Sequence, residues 1–310
     1  MIKHPVPSII IYGPTAVGKT DLALSLARLL NGSMINADSG QCYTPLSIGT
    51  AKPPLESIDV PYYLFDSIDE PRDMTVMEYR NAVIATIQQS NEVPIIVGGS
   101  GFYILSLLFP PQAHSVAPPP EIPHYESSWD HLYSIDPQRA LHINKHDLYR
   151  INRALAIWYQ TGTLPSAHQP QYQPSAPYVL INVTRERAEL YTRINDRVAI
   201  MMNDGWIDEV RQLSPEWQQF LLRKKLLGYD DIVHFVREGH ESAVEYENLI
   251  ATIAKKTRNY AKRQIAFGSM LARKVHQADA KQLIISVNLS TESIDQAAAY
   301  LANRLKGIYE

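Results

Sequence analysis

The chain has 310 residues, 45% hydrophobic and 20% charged, enough to bury one large domain or two smaller ones and unlike collagen-like or disordered compositions. Its net charge of −3 argues against a protein that coats nucleic acid indiscriminately, while leaving room for a local basic patch. The single cysteine, Cys42, excludes an internal disulfide and a cysteine-built zinc site, and no run approaches the ~18 apolar residues of a membrane span. A protein of the reducing cytoplasm that needs no membrane is expected.

The first apolar run, Ile9 to Tyr12, leads straight into Gly13-Pro14-Thr15-Ala16-Val17-Gly18-Lys19-Thr20, so it reads as a core strand and not as a signal peptide. The loop is a complete Gly-x-x-x-x-Gly-Lys-Thr phosphate motif between that strand and a helix over Asp21–Leu30. Such a loop converges backbone N–H groups on a di- or triphosphate, with Lys19 neutralising charge and the Thr20 hydroxyl on a magnesium ion. Strands are predicted over Met34–Ala37, Tyr62–Phe65 and Pro94–Val97, and helices over Val76–Gln89 and Phe102–Leu108. The alternation implies a parallel sheet covered by helices on both faces, a phosphate-loop α/β fold. Asp38, after the second strand, is either a carboxylate at a bound cation or the head of an Asx turn. Gly98-Gly99-Ser100-Gly101 either admits a ligand to the backbone or caps the following helix.

Prolines crowd 110–123 and 165–177, so neither stretch is regular helix or central strand. Between them a helical segment, roughly Asp136 to Thr161, reads as an insertion that carries Lys145, Arg150 and Arg153. The domain expectation is a phosphate-loop core over 1–110 and 178–310, with an inserted helical domain over 111–177. A strand over Tyr178–Val183 returns to the core. Helices broken near Gly205, Gly228 and Gly239 follow, then a last strand over Leu283–Val287. Lys255, Lys256, Arg258, Lys262 and Arg263 form a cluster in which Lys255, Arg258 and Lys262 share one helix face, with Tyr260 interleaved; the stripe suits a polyanion such as RNA or an ordinary solvated surface. His142 and His146 lack the partners of a zinc site, and Cys42 lacks the histidine of a nucleophile.

Taken in order, these motifs resemble one family. The phosphate loop, Asp38-Ser39-Gly40-Gln41, Ile48-Gly49-Thr50-Ala51-Lys52-Pro53, Val97–Tyr103, Asp136-Pro137, Asp147–Leu155, Gly228-Tyr229 and Ala261-Lys262-Arg263-Gln264 are similar to those of tRNA dimethylallyltransferases, from about Ser8 to Gln264. The resemblance implies transfer of a dimethylallyl group from dimethylallyl diphosphate to N6 of the adenosine 3′ of the anticodon, by a monomer that uses Mg2+. It implies that Gly13 to Thr20 hold the leaving diphosphate, that Lys19, Thr20 and Asp38 are catalytic, and that Thr20 and Asp38 attend the metal. Asp38, Ser39, Gly40, Gln41, Gly101, Tyr149, Arg150, Ile151, Asn152, Arg153, Lys225, Arg258, Lys262 and Arg263 would meet the anticodon stem-loop. The chain departs from the family pattern at Val17, Gly40 and Ala156, where Ser, Met and Glu are usual. It departs again at Lys225, where Arg is common, and after Gln264, where Thr-Trp and an Arg are usual. The proline-rich 110–123 stretch stands where helices are usual, so a short inserted domain is expected. Other readings are a phosphate-loop nucleotide kinase or ATPase, and a catalytically impaired relative that binds tRNA.

Overall fold

The computed structural model describes residues 7–111, 127–167, 171–239 and 242–309. The first elements are β1 (Ser8–Tyr12), α1 (Lys19–Leu30), β2 (Gly32–Asn36), β3 (Tyr62–Tyr63), α2 (Val76–Gln89), β4 (Val93–Gly98) and α3 (Gly101–Leu108). Three helices follow: α4 (Trp129–Ile135), α5 (Pro137–Ala140) and α6 (Leu148–Thr161). The chain ends with β5 (Tyr178–Thr184), α7 (Arg187–Asn203), α8 (Trp206–Gln212), α9 (Pro215–Lys224), α10 (Tyr229–Glu238), α11 (Ala243–Ala278), β6 (Ile284–Asn288) and α12 (Ile294–Tyr309). Two compact units result, Met1–Leu108 with Pro174–Glu310, and Phe109–Gln173. No helix among the described residues is long and apolar enough to cross a membrane.

The larger unit is built on one parallel six-stranded sheet in the order β3-β2-β4-β1-β5-β6. Its central strands are β-branched runs buried on both faces, as a sheet covered twice requires. On one face Ile9, Ile11, Ile95 and Ile181 pack with Leu22 and Leu26 of α1 and Ala298, Leu301 and Leu305 of α12. Each such leucine, withdrawn from water, contributes roughly 2 kcal/mol. The chain runs outward from β1 to β2 and β3, then returns to add β4 and β5 on either side of β1. A ligand crevice belongs beyond the carboxyl ends of strands at such a reversal.

Several expected elements have different limits. The strand over Tyr62–Phe65 stops at Tyr63, because Leu64 and Asp66 take left-handed φ of 62° and 45°. The glycine breaks lie at helix ends: Gly205 and Gly228 precede α8 and α10, and Gly239 closes α10, with φ of 96°, 81° and 70°.

In the smaller unit the segment Asp136–Thr161 is two helices, not one. The buried Asp136 carboxylate caps α5 through the Arg139 N–H at 2.9 Å and holds the Ser166 N–H at 2.6 Å. Asp147 then caps α6 through the Arg150 N–H at 3.0 Å. Leu132, Ala140, Ile143, Ile151, Ala154 and Leu155 form this unit's own core. The prolines at 118, 119, 120, 123 and 170 lie outside the described residues.

Candidate functional site

β1 delivers the phosphate loop to the carboxyl edge of the sheet. Gly18 reaches φ 105° and precedes α1 with no side-chain cap, so the helix begins at Lys19, two residues before the expected start. The first N–H groups of α1 are therefore left for an anion. Two arginines draw the loop's carbonyls outward: Arg193 Nε donates to Ala16 O at 2.9 Å and Arg185 Nε to Val17 O at 3.0 Å. Ala16 is held at φ 62°. Val17 is buried in the core, so its side chain cannot touch a ligand. Thr15 is also corrected as a phosphate contact through its amide, because that N–H donates to Gln264 Oε1 at 2.8 Å. Lys19 Nζ donates to Pro14 O at 2.7 Å. Desolvation lowers the Lys19 ammonium to about 8; Asp38 opposes this shift and Arg197 adds to it.

Asp38 heads an Asx turn, its Oδ1 accepting the Gly40 N–H at 3.0 Å while Asn36 Oδ1 holds the Asp38 N–H at 2.8 Å. The turn aims its charge: Asp38 acts electrostatically on Lys19, Arg197 and Tyr260. Burial, then Asp38, raises the Tyr260 phenol, which stays neutral. Gln41 was expected to line a base, but it is buried and its amide donates to the Thr50 and Ala51 carbonyls at 3.0 and 3.1 Å. The three glycines of the 98–101 turn lie close against protein. A Cβ at position 98 would lie 2.1 Å from the Ala37 backbone, at 99 2.2 Å from Gln264, and at 101 2.6 Å from the Phe267 ring. Gly101 therefore presents no open Cα face to RNA.

A cleft of about 880 Å³ opens over the loop, lined by Gly18, Lys19, Thr20, Arg193, Arg197 and Lys52 among others. Arg193 and Arg197 are four apart on α7, hence on one face, and were missed in the sequence because nothing local marks them. A second chamber of about 50 Å³ shares Ala16, Ala51, Arg197 and Met201 with the cleft and adds Val198, Trp206 and Leu227. The cleft is of mixed charge, with Asp21, Asp66, Asp196 and Asp204 also in its wall; Lys19, Arg193 and Arg197 stand at the phosphate loop, where a phosphate group with a short hydrocarbon tail would find cations and the smaller chamber close together.

The 47–53 loop between them is held from far along the chain. The Glu209 carboxylate accepts the Ser47 and Ile48 N–H groups at 2.8 and 2.7 Å and the Tyr229 hydroxyl at 2.7 Å. The Trp206 ring leaves no room for a Cβ at Gly49, which would meet it at 2.0 Å. The Lys52 side chain, itself 3% exposed, donates to Tyr43 O at 2.8 Å and pairs with Asp66. Glu209 had no sequence signal beyond its position in a helix.

The residues expected to meet RNA fall in both units. On α11, Lys255, Lys262 and Arg263 are exposed, while Lys256 pairs with Asp230 and Asp231. Arg258 donates to the Asn195 side chain, and Arg263 lies 5.6 Å over Tyr260. Lys225 closes α9 with φ 51° and an exposed side chain. In the smaller unit Tyr149, Arg150 and Arg153 are exposed, and the Asn152 side chain accepts from Ser127. Ile151 is a correction: at 0% exposure it belongs to that unit's core and cannot reach RNA.

Sheet, loop and cleft define a phosphate-loop α/β protein. A family model described as IPP transferase matches residues 41–269, and the chain belongs to that family. A tRNA dimethylallyltransferase of Halothermothrix orenii is 35% identical over 84% of this chain and 83% of its own length. One from a Synechococcus is 37% identical over 85% and 76%. A tRNA isopentenylpyrophosphate transferase of Staphylococcus epidermidis superposes with a TM-score of 0.64 at 28% identity, covering 97% of this chain and 99% of that one. A eukaryotic dimethylallyltransferase solved acting on tRNA shares the fold, with a TM-score of 0.79 at 23% identity over 97% of this chain and 80% of that one.

Proposed function

We propose that this protein transfers the dimethylallyl group of dimethylallyl diphosphate to N6 of the adenosine immediately 3′ of the anticodon in tRNA. The allylic C–O bond breaks, the N6–C bond forms, the diphosphate leaves, and the N6 proton passes to Asp38. Lys19, Arg193, Arg197 and the N-terminal N–H groups of α1 stabilise the charge that grows on the departing diphosphate. The five-carbon tail enters the apolar chamber beside Trp206 and Met201. The adenine leaves its stack to reach Asp38, at a cost of a few kcal/mol that a single-stranded loop keeps low.

Magnesium fits the donor set. Thr20 lines the cleft beside Lys19, and Thr20 and Asp38 would attend an ion held chiefly by the substrate's phosphate oxygens. When bound it supplies further charge neutralisation on the diphosphate. Tyr149, Arg150, Arg153, Lys225, Arg258, Lys262 and Arg263 would hold the stem-loop by phosphate and stacking contacts.

The observation that carries this reading is the uncapped start of α1 set with Lys19, Arg193 and Arg197 around a cleft that shares Ala16, Ala51, Arg197 and Met201 with a small apolar chamber. A kinase would instead aim a base at a γ-phosphate. The test is incubation with dimethylallyl diphosphate and unmodified tRNA, followed by nucleoside analysis, with ATP as the control ligand. Dimethylallyladenosine in the digest is the expected product. Thermal protection by ATP alone, without prenyl transfer, would point to the kinase or ATPase reading.

A further inference from the structure

Two separate segments meet at the side chain of Gln264, a residue 4% exposed. Its Oε1 accepts the Thr15 N–H at 2.8 Å, its Nε2 donates to Gly99 O at 3.0 Å, and its backbone carbonyl accepts the Tyr12 hydroxyl at 3.0 Å. One carboxamide thus ties the phosphate loop to the turn after β4. That turn is locked in its own right to the segment bearing Asp38. The Ser100 N–H donates to Ala37 O at 3.0 Å, and the Ser39 N–H donates to Ser100 Oγ at 2.9 Å. A path therefore runs by hydrogen bonds from Thr15 through Gln264 to Gly99, across the Gly99–Ser100 peptide bond, and by hydrogen bonds from Ser100 to Ala37 and Ser39 on either side of Asp38.

We propose that Gln264 is a positioning residue for the transfer, fixing the separation between the diphosphate loop and Asp38 and so the alignment of leaving group and attacking amine. The inference rests on the transfer reading above. Gln264 touches neither substrate; it acts through the two loops it joins. Only a side chain with an acceptor and a donor on one carbon fills both bonds, and the close approach of Nε2 leaves no space for a Cβ at position 99. Displacements near 1 Å between reacting groups cost on the order of 100-fold in rate.

The test compares wild type with Gln264→Leu, which keeps the bulk and loses both bonds, and with Gln264→Glu, which keeps the acceptor and regains a donor only when protonated. Folding is monitored by thermal melting, and binding with inorganic pyrophosphate. For Gln264→Leu, kcat should fall about 10- to 100-fold while KM for both substrates and the pyrophosphate Kd stay within about threefold. The activity of Gln264→Glu relative to wild type should rise as pH is lowered toward the raised pKa of a buried carboxyl. An unchanged kcat, or equal losses in kcat and pyrophosphate affinity, overturns the proposal. A wild type that fails to prenylate tRNA refutes the proposed function instead. Amide hydrogen exchange then still reads the brace, because equal Thr15 exchange in wild type and Gln264→Leu overturns it whatever the reaction.

Discussion

Two loops border the large cleft, and they are built in opposite ways. The phosphate loop, Gly13 to Thr20, contains its own chemistry: a left-handed Gly18, the Lys19 cation and an uncapped helix start follow from eight consecutive residues. The 47–53 loop contains almost none. Its shape comes from Glu209 and Trp206, more than 150 residues away, and its lysine is spent on backbone carbonyls and Asp66. A restricted sequence motif can therefore mark a backbone that distant residues hold, and not side chains that meet substrate.

Substitutions in the two loops should differ in kind. Lys19→Ala should have the largest effect, lowering single-turnover transfer by about 1000-fold or more and weakening pyrophosphate binding in calorimetry. Asp38→Ala should lower transfer by roughly 100- to 10,000-fold with pyrophosphate affinity nearly intact; loss of donor binding there would contradict its role as proton acceptor. In the second loop, Glu209→Ala should act on folding first. It strands two loop N–H groups and the Tyr229 hydroxyl, and should destabilise by about 1–3 kcal/mol in denaturant titration. A Glu209→Ala protein with wild-type stability and lost catalysis would erase the contrast.

Smaller effects sharpen it further. The free protein's Lys19 loses its proton near pH 8, and anion binding needs the charged form. Pyrophosphate affinity should therefore hold below pH 8 and decline as pH rises through it, a profile that Lys19→Ala should flatten. Arg150→Ala should leave pyrophosphate binding unchanged, weaken tRNA binding, and reduce the slope of log K against log salt by about 1.

The same division explains what could be read from the sequence. β1, α1 and the phosphate loop were legible because periodicity and motif are local, and Gly205, Gly228 and Gly239 because left-handed backbone at helix ends favours glycine. The break between α5 and α6 was not, since Asp147 in a helical run discloses itself as a cap only when the Arg150 N–H is seen against it. Arg193, Arg197 and Glu209 looked like any charges on solvated helices; only the fold sets them against the phosphate loop and the 47–53 loop. Ile151 was misplaced for the reverse reason: it sits among exposed basic neighbours in sequence, yet its position on α6 turns it into a core.

The central claim is that the cleft receives a prenyl diphosphate and Asp38 receives the acceptor's proton. Rapid-quench single turnover with radiolabelled dimethylallyl diphosphate and unmodified tRNA, run on wild type and Asp38→Ala, tests it most directly. Label should move to tRNA in a single phase with the wild type and stay on the donor with the variant, although both proteins bind the donor. Equal transfer by both, or none by a wild type that holds both substrates, would contradict the account.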